Sequence, residues 1–231
     1  MTETLVLDDP ARECAGRLAA AAAAGAHIAL TGGSTPRRAY ADAAGMDADW
    51  SGATLWFGDE RCVPPDDELS NYRVAKEALL DRLPAPDAGG PTVKRIRGEK
   101  GPHAGADDYE RELRETLGQE IPRLDVVLLG LGPDAHVASL FPGQPSLDVG
   151  DRIVVGVDEA GMEPFIPRVS LTLPVINSAR AVVFLVTGED KADAVARAFA
   201  GEPTADAPGS LVRPTAGELT LLLDAAAASR L

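Results

Sequence analysis

Two cysteines, three histidines and an aromatic content of 4% leave this 231-residue chain short of the side chains that staple, ligate and stack. Cys14 sits in an alanine-rich helical stretch and Cys62 beside Arg61, with neither metal-ligand spacing nor a repeated framework. A disulfide scaffold is therefore excluded, and a reducing, cytoplasmic location is expected. Three scattered histidines without a paired ligand motif argue against a bound metal. Basic residues are also scarce: 22 Lys and Arg against 36 Asp and Glu give a formal net charge of -14. No basic block is present to hold a nucleic-acid backbone or an anionic membrane, so neither is an expected partner. No apolar stretch reaches the roughly 20 residues of a spanning helix, and MTETLVLDDP lacks the basic region and apolar run of an export signal. An anionic small molecule stays open as a ligand, because at physiological salt charges beyond about 8 Å are largely screened and local groups decide.

What is present is an alternation of apolar runs of strand length with segments of helical period. Strands are expected at residues 3–7, 27–30, 54–57, 125–129, 153–157, 181–186 and 219–223, and helices near 10–24, 71–82, 106–117 and 191–199. This pattern predicts an α/β fold, an open and mostly parallel sheet with helices on both faces, doubly wound and Rossmann-like. Two turn-rich segments, PAPDAGGP at 84–91 and GEPTADAPG at 201–209, are too short for domain linkers. A chain of this length buries about 70 to 75% of its unfolded surface, and a single domain over 1–231 is expected.

Ligands of open α/β sheets gather at the carboxyl ends of the strands. The stretch 125–143, DVVLLGLGPDAHVASLFPG, runs an apolar strand into a loop holding Asp134 and His136, with a Phe-Pro-Gly stop soon after. An imidazole, whose ordinary pKa is about 6.5, suits proton transfer near neutrality. Within this loop GLGPDA formally matches a dinucleotide fingerprint, but Pro133 and Pro142 leave no room for the long helix that fingerprint should open. After HIAL comes Thr31-Gly32-Gly33-Ser34-Thr35-Pro36, where paired glycines permit close backbone approach, a hydroxyl can cap and Pro36 suits a first helical turn. A helix N-terminus there offers free N–H groups to a phosphate, helped by the hydroxyls of Ser34 and Thr35. Arg37 and Arg38, next in line, either assist an anion or are solvated, and solvation is expected for at least one.

A third strand end, TLWF, leads into Gly58-Asp59-Glu60-Arg61-Cys62, read as a loop. Arg61 suits stabilising a negative oxygen or orienting a substrate, and Asp59 suits accepting sugar hydroxyls or holding Arg61. Cys62 has no partner base in its own stretch and is not expected to be a nucleophile. Ser70-Asn71-Tyr72 opens a helix, with Ser70 the better cap. Lys191 follows the strand and loop VVFLVTGEDK at another carboxyl end, while His27 and His103 read as structural or exposed.

Taken together, TGGSTP, GDERCVP followed by SNY, LGLGPDAHVASLFPG and PRVSLTLPVINSAR resemble the 6-phosphogluconolactonase family, within the wider glucosamine-6-phosphate isomerase/deaminase-like group of sugar-phosphate enzymes. The motifs span Thr31 to Arg180. The resemblance implies hydrolysis of 6-phospho-D-glucono-1,5-lactone to 6-phosphogluconate in the oxidative pentose phosphate pathway, without a cofactor; separately, a monomer or weak homo-oligomer is expected. By the same likeness His136 is the general base, Gly33, Ser34, Thr35, Arg168 and Lys191 gather the phosphate, and Asp59 and Arg61 lie near the ring. Gly32 and Asn71 complete the expected binding set, and Asp134 positions either a hydroxyl or the imidazole. Where the family commonly has Gly between the Asp and His, this chain has Ala135. A left-handed backbone there costs an alanine on the order of 1 to 2 kcal/mol, whereas an ordinary dihedral makes the exchange harmless. Two alternatives are carried forward. A glucosamine-6-phosphate deaminase needs a carboxylate soon after the histidine, and none follows before Asp148. A non-catalytic sugar-phosphate sensor keeps the phosphate loop and loses the base.

Overall fold

Seven of the ten strands among the described residues, 2–231, run parallel in one sheet in a computed structural model of the chain. In chain order the elements begin β1 Thr2–Val6, α1 Pro10–Ala23, β2 His27–Leu30, α2 Ser34–Ala44, β3 Thr54–Phe57, β4 Asp59–Arg61, α3 Asn71–Ala78 and β5 Thr92–Val93. They continue as α4 Pro102–Leu117, β6 Val126–Leu129, β7 Val154–Val157, β8 Arg168–Leu171, α5 Leu173–Ser178, β9 Ala181–Val186, α6 Ala192–Phe199 and β10 Glu218–Leu223. The parallel sheet has the order β1-β10-β9-β6-β2-β3-β5, flanked by helices on both faces. Its central strands are nearly continuous apolar runs because both faces are covered.

After β2 the chain winds one way, to β3 and β5; after β6 it winds the other way, to β9 and β10. Since β2 and β6 are neighbours, their carboxyl ends diverge and leave a crevice, the topological switch point of the sheet. Two buried tyrosines fix the strand ends beside it. Tyr40 Oη donates to Thr31 O at 2.6 Å and accepts from Thr31 N at 2.9 Å. Tyr109 Oη does the same for Phe57, at 3.0 and 2.8 Å. Helix α1 starts at Pro10, with Asp9 accepting from Arg12 N, and its alanine face packs on α2.

The mostly parallel sheet is the one expected, and three further strands form a second, small antiparallel sheet, β4-β8-β7. The stretch 153–157 is β7 of this small sheet, and the charged segment read as a loop is β4. Asp59 and Glu60 escape the usual signature of a strand because their charges are buried and individually satisfied instead of facing water. Helix 71–82 ends at Ala78 in a 3-10 turn, and helix 106–117 begins earlier, at Pro102 after Gly101, where proline needs no N–H donor. No helix among the described residues is long and apolar enough to cross a membrane.

Candidate active site

The crevice between β2 and β6 is a cavity of about 260 Å³. One wall is the turn after β2, with Gly32 and Gly33, and the opposite wall is the turn after β6, with Gly132 and His136. Its floor comes from the small sheet and α3, through Asp59, Arg61, Arg168 and Asn71, while Lys191 reaches in from the turn before α6. Nine of the eleven expected site residues thus converge: eight line this cavity, and Asp134 is bonded to one of them.

Ser34 and Thr35 do not line it. Both residues line a neighbouring cavity with Asp8, Asp9 and Asp224, where the one cation, Arg38, is already paired with Asp9, so negative charge prevails there. The expected hydroxyl cap is also absent: the residue before α2 is Gly33 at φ 105°, a conformation open to glycine, and no side chain caps the helix. The first-turn N–H groups of α2, directly after Gly33 of the main cavity, have no partner among the described residues.

The His136 ring is set by Asp134. His136 Nδ1 lies 2.6 Å from Asp134 Oδ1, and the same oxygen accepts from His136 N at 3.1 Å. Burial works to raise the Asp134 carboxyl, but the bond to the imidazole and its charge outweigh it and hold the group below the ordinary carboxylate range. An ionised carboxylate only accepts, so Nδ1 carries the proton and the Nε2 lone pair is left free. The His136 side chain keeps 15% of its surface exposed and lines the cavity. Gly132 makes the pairing possible: a Cβ there would stand 2.0 Å from His136 Nδ1 and 2.7 Å from Asp134 Oδ1. Between the two, Ala135 sits at φ 66°, in the left-handed region, so the exchange of Gly for Ala is not harmless; its amide bonds Gly132 O and its carbonyl takes Gly209 N. Ala138, two residues beyond His136, is also left-handed at φ 49°.

Asp59 does not hold Arg61. Its Oδ1 accepts from Asn71 Nδ2 at 3.0 Å and its Oδ2 from Ser139 Oγ at 2.6 Å, which ties the His136 loop to β4. Asn71 in turn fills the space above Gly32, where a Cβ would come within 1.8 Å of Asn71 Oδ1. Glu60, not singled out from the sequence, anchors the start of α3. Its carboxylate accepts from the backbone N–H of Arg61, Asn71 and Tyr72 and from Ser70 Oγ, while burial pushes its pKa upward against these bonds.

The cations are less well satisfied. Arg61 donates through Nη1 to Leu69 O at 2.6 Å, Arg168 through Nη2 to Pro164 O at 3.1 Å, and both Nε atoms are buried without a partner. Burial lowers the pKa of Arg168, against the nearby Asp59 carboxylate, and the charge of Arg61 adds to the lowering. Among the described residues neither arginine nor Lys191 forms a salt bridge. The site therefore offers orphaned positive donors on one side and a lone-pair nitrogen on the other. By contrast Arg37 and Arg38 are exposed and paired with Glu77 and Asp9. Burial and Glu60 push the Cys62 thiol up to about 11, far from a thiolate nucleophile. Met162 and Glu163, from the segment between β7 and β8, also line the cavity and had no local signature in the sequence.

Residues 2–221 match the family described as glucosamine-6-phosphate isomerases/6-phosphogluconolactonase. A 6-phosphogluconolactonase of Nostoc sp. is 41% identical over 210 residues, covering 88% of this chain and 84% of its own. One of Streptomyces coelicolor is 42% identical over 219 residues, covering 89% and 82%. The solved structure of 6-phosphogluconolactonase from Trypanosoma cruzi superposes with a TM-score of 0.85 at 30% identity, over 100% of this chain and 97% of that one.

Proposed function

The chain belongs to the glucosamine-6-phosphate isomerase/6-phosphogluconolactonase family, and from that premise we propose that it hydrolyses 6-phospho-D-glucono-1,5-lactone to 6-phosphogluconate, the second step of the oxidative pentose phosphate pathway. One observation carries the reading: a carboxylate-oriented imidazole and three cations free of carboxylate partners share a single cavity. Residues 1–231 act in this reading as one catalytic unit.

The lactone carbonyl is already electrophilic, so the enzyme must orient it, activate water and hold the developing oxyanion. His136 Nε2 takes a proton from the attacking water, and Asp134 stabilises the imidazolium that forms. Hydroxide adds to C1, the tetrahedral intermediate collapses, and the ring oxygen leaves as the C5 hydroxyl after taking the proton back. Arg61 is the donor proposed for the oxyanion, since its guanidinium lines the cavity without a carboxylate partner. Arg168, Lys191 and the main-chain N–H groups of Gly33, Ser34 and Thr35 grip the phosphate, which turns binding into orientation. Asn71 and Ser139 hold the Asp59 carboxylate in place, and in this reading it accepts from sugar hydroxyls.

The test is proton release from freshly generated lactone, read above its spontaneous opening, in wild type and His136→Ala. Acceleration by wild type and its loss in the variant, with phosphate affinity kept, are expected. Ammonia release from glucosamine 6-phosphate would replace this reading with the deaminase one, and equal behaviour of the two proteins would replace it with a sensor.

A further inference from the structure

Phe141 lies outside the cavity lining, fully buried, yet it touches two of the groups that line it. Its ring centroid is 4.4 Å from that of His136 with the planes tilted by 39°. The guanidinium carbon of Arg168 stands 5.6 Å from the same centroid. Gly161, in the segment that carries Met162 and Glu163, closes on the ring as well: a Cβ there would lie 2.8 Å from Phe141 Cβ.

Neither of the two polar groups is fixed by hydrogen bonds alone. Asp134 holds one edge of the imidazole but leaves its plane free to rock about the Nδ1 bond, and a tilted aromatic neighbour removes that freedom. Arg168 has one hydrogen bond through Nη2 and an unpartnered Nε. The negative face of an aromatic ring compensates part of the lost hydration of such a cation.

We propose that Phe141 is a positioning residue that indexes the base and the anion-holding arginine to one rigid ring, so that the distance between the two ends of the substrate site is set by a side chain that touches neither end of the substrate. The proposal rests on the lactonase reading where turnover is measured, and stands apart from it where the ring's neighbours are observed directly.

The experiment compares Phe141→Leu, Phe141→Met and Phe141→Tyr in the full chain, each verified as folded by thermal melting. Three readouts are taken: inorganic phosphate affinity by calorimetry, the His136 tautomer by nitrogen NMR, and kcat on the lactone. The aliphatic variants should weaken phosphate binding about 3- to 30-fold. They should also replace the single tautomer by a mixture and cut kcat about 10- to 100-fold. Phe141→Tyr, which keeps the ring, should stay near wild type in all three. In an Arg168→Met background, Phe141→Leu should no longer change phosphate affinity. If Phe141→Leu does not fold, Phe141→Met, whose flexible thioether fills such gaps, carries the comparison. Equal damage from Tyr and the aliphatic variants overturns the proposal, as does an effect on phosphate that persists without Arg168, or aliphatic variants that behave like wild type. Absence of turnover in the wild type would strike the lactonase reading only, because phosphate affinity and the tautomer still test the ring.

Discussion

Arg61 and Arg168 stand directly opposite one another across the antiparallel pair of β4 and β8. Like charges facing each other on neighbouring strands are destabilising, and here burial also strips Arg168 of water. The arrangement makes sense for a protein whose missing counter-charge arrives with the ligand.

Replacing one member should therefore separate stability from binding. Arg168→Met is expected to raise the urea midpoint, by about 1 kcal/mol of stability, because an apolar side chain of similar length replaces a desolvated charge. The same variant should lose phosphate affinity by about 100-fold, as expected when a buried charge contact is truncated. Calorimetry with inorganic phosphate and urea unfolding of the same sample check both halves; a less stable variant would contradict the first.

Gly132→Ala drives a methyl group into the space shared by His136 and Asp134. Displacing the imidazole by as little as an ångström should lower kcat about 100-fold while KM changes little, since the residues proposed to hold the phosphate are left in place. Steady-state kinetics decide this, and a fall confined to KM would show that the turn serves binding and not the base.

Asp134→Asn can turn an amide N–H toward Nδ1 and so move the ring proton to Nε2, where a base needs a lone pair. Turnover should drop by about 100-fold or more. Because the folded state lowers the Asp134 pKa, its stabilisation is complete above the unfolded carboxyl value of about 3.9 and is lost as pH falls through the lower folded value. Urea midpoints from pH 3 to 5 should accordingly show the lead of wild type over Asp134→Asn narrowing as the pH falls below about 4. A margin unchanged across the series would mean that the pair is not formed in solution.

Glu60→Gln exchanges one acceptor oxygen for a donor among four donors that all point at the carboxylate. At least one buried N–H or hydroxyl is left without a partner, so a loss of about 2 kcal/mol or more is expected. Asn71 should loosen with it, and turnover should fall with stability; chemical unfolding beside kinetics tests this, and an unaffected midpoint would remove Glu60 from the support of the site.

Much of this site could be read from single stretches of sequence. HIAL, TLWF and AVVFLV are strands over the residues expected, and the segments directly after them, of which Asp59 to Arg61 is a strand and not the loop expected, carry Gly32, Gly33, Asp59, Arg61 and Lys191 to the cavity. Asp134 and His136 were legible because two residues of spacing in a tight turn suffice to join them. Arg168 was not, except through resemblance: beside Pro167 nothing local distinguishes it from a surface arginine, and its meaning comes from Arg61 across a strand pair. The small sheet was hidden for the same reason, since β4 joins β8 across more than a hundred residues and contains charges satisfied only in three dimensions. Ser34 and Thr35 misled because a GGST string fixes where a helix starts, but not the direction in which its hydroxyls turn.

Gly58 is the only residue between β3 and β4, and its N–H bonds Leu30 O while its carbonyl takes Leu171 N, both at 2.8 Å. One residue is thus riveted to both sheets. The floor strand that carries Arg168 cannot slide away from the end of β2, which leads into the glycine turn, without tearing that rivet, so this side of the slot has a fixed gauge. Candidate sugars are then sorted by reach, according to whether a phosphate and a carbonyl lie the right number of carbons apart, and not by how tightly the protein can fold around them.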